Sequence, residues 1–140
     1  MSDATRTAMT PQELQERTLE FALNVHRLIR PWWKSADTRH VASQVFRCST
    51  SLAANYRAAC LGRSKKEFRA KIGVSREEAD ESLFWLIFVQ RSGMDCTEPS
   101  AVASLVDEAG QLAKIFSAAY KTSKRNPGKK LPKNPAQWES

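Results

Sequence analysis

The apolar residues of the chain recur at steps of three and four, the period of helices that bury one face. The first stripe consists of Phe21, Val25, Leu28 and Trp32. Ahead of it, Thr10-Pro11-Gln12-Glu13 offers an N-cap hydroxyl, a proline at the first helical position and a glutamate that can close a capping box. This pattern predicts a first helix over about residues 11 to 30, with Pro31 disturbing its end.

A second helical segment begins near Asp37 or Thr38 and ends near Gly62. Its main stripe consists of Val41, Val45, Cys48, Leu52, Asn55 and Ala59. A neighbouring stripe of mostly small residues consists of Ala42, Phe46, Ser49 and Ala53. Because small side chains let another backbone come close, we expect this helix to be covered on two sides.

Two more segments complete the helical pattern. Ser64-Lys65-Lys66-Glu67 is a second capping-box sequence, and Gly93 is placed to end the helix that follows it. The stripe between them consists of Phe68, Ile72, Ser75, Ala79, Leu83, Leu86 and Gln90. Thr97-Glu98-Pro99 then opens a fourth helix that fades near Arg125. Its stripe has the repeat of a bundle seam and consists of Val102, Leu105, Ala109, Leu112, Phe116 and Ala119.

Four helices of similar length with short connections favour antiparallel neighbours. A chain of 140 residues, of which 41% are hydrophobic, suits one core. The sequence therefore predicts an all-α fold, an up-down antiparallel four-helix bundle over residues 10–125. Residues 1–9 and the proline-rich basic tail at 126–140 are predicted to be flexible. This topology places the turn between the second and third helices, and both chain ends, at one pole.

The sequence carries no segment typical of secretion or membrane insertion. Its N-terminal residues are polar, and its most apolar run, Leu83–Val89, is far shorter than the about 20 residues that cross a bilayer. The three cysteines, Cys48, Cys60 and Cys96, form no C-x-x-C pair. We therefore expect a soluble cytoplasmic protein with reduced thiols and no membrane partner.

The net charge of +7 fits a polyanionic partner, and the predicted topology determines where that charge lies. Cations of three regions meet at one end of the bundle, which we call the basic pole. The regions are the turn between the second and third helices with its flanking residues, the end of the fourth helix, and the tail. Its residues are Arg57, Arg63, Lys65, Lys66, Arg69, Lys121, Lys124, Arg125, Lys129 and Lys130. Such a surface is predicted to bind RNA or DNA phosphates without reading sequence. The alternative is that helix C-termini favour cations and that the tail is a solvated extension.

Some apolar residues exceed what one stripe per helix can bury. The run Leu83–Val89 is apolar all round, and Leu19 and Leu23 lie off the main stripe of the first helix. A homo-oligomer would cover these positions. The predicted interface residues are Leu19, Leu23, Phe84, Trp85 and Phe88. The alternative is that the bundle is thick enough to bury them within one chain.

The chain offers no recognisable catalytic or metal-binding motif. A di-metal site of the ferritin type needs two E-x-x-H motifs, and neither His26 nor His40 belongs to one. No G-x-S-x-G elbow or glycine-rich phosphate loop is present. In the acidic run that ends at Glu81, consecutive residues point to different faces, and an inward-facing Glu81 would need an arginine or hydroxyl partner. We expect a protein with no enzymatic activity, cofactor or metal.

The stretch QVFRCSTSLAANYRAACLGRSKKEF, followed by EADESLFWL, resembles the bacterial 23S rRNA intervening-sequence protein family. The residues that carry the resemblance are Arg47, Ser49 to Ser51, Ala54 to Arg57, Ser64 to Lys66, Phe68, Glu81, Trp85 and Leu86. The similarity covers the four predicted helices and excludes both chain ends. One departure is Ala58, where relatives usually carry a glutamate, so an ion pair made by that acid is missing here.

This family is similar in turn to the accessory variability proteins of diversity-generating retroelements. Those proteins are basic barrels of five bundles that bind nucleic acid and a reverse transcriptase. The resemblance therefore implies a homopentamer with no enzymatic activity, and it makes RNA or DNA and a reverse transcriptase the candidate partners. A protein-interaction scaffold without direct nucleic-acid contact is the alternative.

Overall fold

The four predicted helices all form. A computed structural model of the protein describes residues 9–94, 98–125 and 134–135, except for the side chain of Arg125. The helices are α1 (Pro11–Ile29), α2 (Ala36–Cys60), α3 (Lys65–Ser92) and α4 (Pro99–Arg125), and a 3₁₀ segment, Arg30–Lys34, links the first two. The described residues contain no strand, and the predicted all-α class is confirmed.

The helix ends follow the predicted capping signals. The Thr10 hydroxyl accepts the Glu13 N–H at 3.1 Å, and the Glu13 carboxylate accepts the Thr10 N–H at 2.8 Å, which completes a capping box. At the start of α3 the Ser64 hydroxyl accepts the Glu67 N–H at 3.1 Å, but the Glu67 carboxylate accepts the Arg63 N–H, so only half of the predicted capping box is found. At its other end, Gly93 adopts a φ of +64°, the left-handed conformation that a glycine accepts without strain.

Pro31 disturbs the end of α1, as the sequence predicted. The chain continues as the 3₁₀ segment, which places Trp32 of the predicted stripe in the core with 1% of its surface exposed. The Thr38 hydroxyl donates to the Trp32 carbonyl at 2.7 Å and ties this segment to α2. Helix α2 consequently begins at Ala36, slightly before the predicted start.

Each helix packs against two others, in the order of an up-and-down bundle. Helix α1 contacts α2 and α4, and α3 also contacts α2 and α4. His40 near the start of α2 packs edge-on against Trp85 near the end of α3, with ring centroids 5.8 Å apart. Farther along, the Ser75 hydroxyl donates to the Leu52 carbonyl at 3.2 Å, so the two helices run antiparallel. These contacts place the turn between α2 and α3 at one end of the molecule.

The predicted stripe of α4 is buried at all of its positions. On α3, however, the buried face continues through Ser82 and Val89, whereas Leu83 is half-buried and Gln90 is exposed. A helix of 3.6 residues per turn alternates steps of three and four, and the more apolar neighbour is not always the inward one. The prediction of Gln90 on the inward stripe was therefore wrong, whereas Leu83 packs against the core without being fully buried.

On α2, the core position belongs to Tyr56 instead of the predicted Asn55. The Tyr56 ring is fully buried and packs edge-on against Phe116 of α4, with centroids 5.4 Å apart. Asn55 is half-buried, and its amide donates to the Ser51 carbonyl at 2.9 Å. The ring supplies far more apolar surface than the amide, which explains why the helix turns it inward.

The second stripe of α2 is covered in part. Ala42 and Ser49 are fully buried, which fits the prediction that small residues allow close packing. Phe46, on the same stripe, contacts His26 of α1 with ring centroids 5.7 Å apart, but it keeps 37% of its surface exposed. This second stripe is therefore buried at Ala42 and Ser49 and partly exposed at Phe46.

The cysteines that the structure describes are free thiols. Cys48 is buried on α2, and Cys60 is half-buried at its end, while Cys96 lies outside the described residues. Burial raises the pKa of the Cys48 thiol to about 11. Burial also raises the pKa of Tyr56, whose hydroxyl lies beside Cys60.

No helix in the part of the chain that the structure describes is both long and apolar enough to cross a lipid bilayer.

Replacing the cap of α3 should weaken the fold measurably. Ser64→Ala removes the hydroxyl that accepts the Glu67 N–H, and we expect a loss of about 1 kcal/mol in the free energy of unfolding. Urea titration followed by circular dichroism measures this difference. Ser104→Ala is the matched control, because Ser104 is exposed inside α4. Equal stability of the two variants would contradict the capping role.

Buried Cys48 should make the fold sensitive to alkali. An unfolded thiol loses its proton near pH 8.5, but native Cys48 keeps it up to about pH 11. Since the unfolded state then binds fewer protons, the free energy of unfolding should be unaffected at neutral pH and fall between these two values. In Cys48→Ala the fall should be smaller, though still present because Tyr56 acts in the same direction. Urea titrations from pH 8 to 11 test this, and an identical decline in both proteins would contradict it.

Candidate nucleic-acid interface

The basic pole lies where the end of α2 and the end of α4 meet the beginning of α3. Arg57 lies in the last turn of α2, Arg63 in the connection that follows, and Lys65 in the first turn of α3. The predicted phosphate-binding side chains that are exposed are Arg57, Arg63, Lys65, Lys66, Lys121 and Lys124. Arg69 belongs to the same end of α3 and is half-buried.

Tyr120 connects the cations of α3 with those of α4. The Arg76 guanidinium carbon lies over the Tyr120 ring at 5.0 Å from its centroid, and the Lys124 ammonium nitrogen lies over it at 5.6 Å. Sequence reasoning did not assign Arg76 and Tyr120 to the site, because their contact joins two helices and no local pattern indicates it. Lys129 and Lys130, with the side chain of Arg125, lie outside the described part of the chain.

The acidic residues in the first turns at this pole bind backbone groups. Glu13 accepts the Thr10 N–H, and this hydrogen bond lowers the pKa of its carboxyl. Glu67 accepts the Arg63 N–H at 2.9 Å, just before α3. Both carboxylates are turned toward helix starts, where unpaired N–H groups favour negative charge. Glu13 and Glu67 are therefore engaged by backbone N–H groups at the helix starts.

Two arginines in the middle of the bundle form ion pairs. Arg17 donates to the two carboxylate oxygens of Glu108 at 2.7 and 2.8 Å, which raises the pKa of the arginine. Arg47 forms ion pairs with Glu78 and Glu81, and the hydrogen bond to Glu81 raises its pKa. Because opposite charges at such distances cancel, neither arginine adds to the positive surface of the protein.

The opposite pole also carries cations, which sequence reasoning missed. Its exposed charged residues include Arg30, Lys34, Asp37, Arg39, Arg91 and Glu98. The same antiparallel topology that gathers the basic pole brings these residues together, so the signal was present in the sequence. Acidic residues offset a larger share of the cations there than at the basic pole, which remains the more positive end.

The predicted oligomer interface divides into two patches on different helices. Leu19 and Leu23 of α1 are 47% and 37% exposed, and together with Phe46 of α2 they form what we call the α1–α2 patch. The α3 patch consists of Phe84, Trp85 and Phe88. Phe84 is 57% exposed and Phe88 45% exposed, whereas Trp85 is half-buried. Sequence reasoning missed Phe46, which it had assigned to a stripe of small, covered residues.

A polar network holds Trp85 in place. Its indole N–H donates to the Glu81 carboxylate at 3.4 Å, and Glu81 in turn binds Arg47 of α2. Its ring is flanked edge-on by Phe84 at 5.1 Å and by Phe88 at 5.9 Å. Glu81 therefore has an arginine partner, but its side chain is 38% exposed and does not face inward. The hydrogen bond to Glu81 and the contacts with the two phenylalanine rings together orient Trp85 in the α3 patch.

An aromatic cleft lies at the opposite pole, between the 3₁₀ segment, the start of α2 and the end of α3. The cleft is open to solvent and has a volume of about 860 Å³, and the residues that line it include Trp32, His40, Trp85, Phe88 and Met94.

Within residues 9–94, 98–125 and 134–135, no three His, Cys, Asp or Glu side chains come together as metal ligands.

Comparison with known proteins identifies a family and a fold. The family model described as 23S rRNA-intervening sequence protein matches residues 12–118. A solved structure from Bacteroides thetaiotaomicron, described as a protein of unknown function from the S23 ribosomal protein family, aligns with a TM-score of 0.68. It is 24% identical to this chain and covers 78% of it and 99% of its own length. No curated protein matches the chain.

The family match spans α1, α2, α3 and most of α4, and it includes the whole connection from Arg57 to Arg69. It ends before Tyr120, Lys121 and Lys124, so the α4 side of the basic pole lies beyond it. The protein belongs to the 23S rRNA-intervening sequence protein family.

Proposed function

We propose that the protein is a non-enzymatic homo-oligomer that binds RNA or DNA through its basic pole. The observation that carries the proposal is the basic pole itself, where exposed cations from α2, α3 and α4 meet while the nearest first-turn carboxylates cap helices. The family name refers to an intervening sequence of 23S rRNA, which supports an RNA-related partner.

Binding at this pole should depend on phosphates more than on bases. Lys65, Lys66 and Lys121 are exposed on flexible stems, which follow a phosphate backbone without reading base edges. The N–H groups at the start of α3 add positive partial charge beside the two lysines of that turn. Affinity should therefore be strongly salt-dependent and weakly sequence-dependent.

The two apolar patches support an assembly of the head-to-tail kind. The α1–α2 patch and the α3 patch lie on different helices, so one copy can present one of them to the other patch of the next copy. Such heterologous contacts close into a ring when the rotation between copies allows it. The resemblance to five-bundle accessory variability proteins suggests five copies. In a ring, equivalent poles face the same side and combine their charges.

A protein-interaction scaffold is the second candidate, and the exposed aromatic rings of the α3 patch favour it. Phe84 exposes more than half of its surface, which is the kind of position that a protein partner covers. A reverse transcriptase is the partner that the resemblance to retroelement proteins suggests. The scaffold and the nucleic-acid hypothesis differ in whether the purified protein binds polyanions by itself.

Charge reversal at the basic pole should reduce both the affinity for nucleic acid and its salt dependence. Lys65→Glu with Lys66→Glu removes two phosphate contacts, which should lower the slope of log affinity against log salt by about 2. The control is Lys34→Glu with Arg39→Glu at the opposite pole, which changes the net charge equally. Fluorescence anisotropy with an unrelated RNA and an unrelated DNA, at several salt concentrations, measures the slopes. Deleting the chain from Asn126 onward tests the tail in the same assay.

The outcomes separate the two candidate functions. Equal losses of affinity in the two charge-reversal variants would mean that only the net charge matters. Such a result would contradict a binding site at the basic pole. If the wild type binds neither RNA nor DNA at low salt, the scaffold becomes the better hypothesis.

The assembly should depend on both apolar patches. Light scattering should show an oligomer for the wild type and a monomer for Leu19→Asp with Leu23→Asp and for Phe84→Asp with Phe88→Asp. An equimolar mixture of the two variants should form dimers, because each retains the patch that the other lacks. Leu61→Ser is the control, since Leu61 is 71% exposed but belongs to neither patch. A monomeric wild type at micromolar concentration, or a mixture that stays monomeric, would contradict this assembly.

A further inference from the structure

Tyr120 is an aromatic ring set among cations beside the basic pole. It lies in the last two turns of α4 and is half-buried against the core. Arg76 of α3 and Lys124 of α4 both lie over the ring, at 5.0 and 5.6 Å from its centroid. Among the described residues, neither cation forms an ion pair with a carboxylate. Their charges are therefore not neutralised locally.

Gly73 provides the space in which the ring lies. A Cβ atom at this position would come within 3.2 Å of the Tyr120 Cε1 atom and 3.6 Å of Cδ1, so the edge of the ring packs against the backbone of α3. A glycine inside a helix destabilises that helix relative to alanine. Here the missing side chain lets the ring lie across the groove between α3 and α4.

The groove around the ring is positively charged. Arg69, Gly73 and Arg76 are spaced by four and three residues on α3, which places them on one side of the helix. Tyr120 and Lys124 are one turn apart on α4. On α3, the row of residues that contains Arg76, Gly73 and Arg69 continues to Lys65 at the basic pole. Asp80 is the next acidic residue along this side of α3, one turn beyond Arg76.

We propose that Tyr120 stacks a base of single-stranded RNA or DNA while Arg76 and Lys124 bind the neighbouring phosphates. This inference rests on the proposed nucleic-acid function. An aromatic side chain in a cationic groove is the combination that binds single strands, because every base has a flat face and every nucleotide a phosphate. Lys124 is exposed on a flexible stem, so it can leave the ring and follow a phosphate. The bases of a duplex are stacked within the helix, which makes a single strand the ligand.

Three synthetic ligands of equal length separate stacking from charge. They are oligothymidylate, an abasic phosphate spacer and a blunt duplex. The wild type should bind oligothymidylate on the order of tenfold more tightly than the spacer. Tyr120→Leu should lose this preference and keep the salt slope. Tyr120→Phe should keep both, since the ring face and not the hydroxyl makes the contact. Lys65→Glu with Lys66→Glu should show the reverse result, a lower slope with the preference retained.

Photocross-linking of the wild type provides a test that does not depend on a folded variant. A single-stranded oligonucleotide with one 4-thiouridine should cross-link to peptide 115–121, which contains Tyr120. Equal binding of oligothymidylate and the abasic spacer by the wild type, or cross-links confined to other peptides, would overturn the stacking site and leave the phosphate-binding pole intact. A wild type that binds none of the three ligands at low salt would overturn the proposed function and this inference together.

Discussion

The close packing of α2 against α3 determines where the other surfaces of the protein lie. The Ser75 hydroxyl donates to the Leu52 carbonyl, and Ser82 lies beside the Cys48 thiol, so small polar groups let the two helices approach closely. Since the helices are antiparallel and joined by a short connection, the cations around Arg63 must lie at one end. The same packing places Arg47 of α2 beside Glu78 and Glu81 of α3. Because Glu81 also accepts the Trp85 indole N–H, this contact helps to orient the aromatic rings of the α3 patch.

The arrangement of charges distinguishes the middle of the bundle from its ends. Half-exposed ion pairs such as that of Arg47 with Glu78 add little to stability, because water screens them and their side chains lose freedom. Their larger effect is on the electrostatic potential at the surface, because the carboxylate of each pair neutralises the charge of its arginine. The ion pairs of Arg17 and Arg47 therefore lower the positive potential of the surface where they lie.

The sequence predicted the helices, the N-cap residues of α1 and α3 and the whole seam of α4, because apolar period and capping chemistry are local properties. It failed where two neighbouring residues competed for one inward position, as with Tyr56 against Asn55 and Ser82 against Leu83. That choice depends on the distance between helices, which no single segment encodes. The contact of Arg76 with Tyr120 was missed for the same reason, since it joins two helices through a glycine whose role is visible only in three dimensions.

The apolar patches lie on the sides of the bundle and the basic pole at its end, so assembly and nucleic-acid binding need not compete for the same surface. In a ring joined through the patches, each added copy would contribute its cations to a shared face, and weak contacts of single subunits would combine into tight binding. The family match includes the α3 side of that face but ends before Tyr120 and Lys124. The stacking site is therefore supported by the geometry of this chain alone.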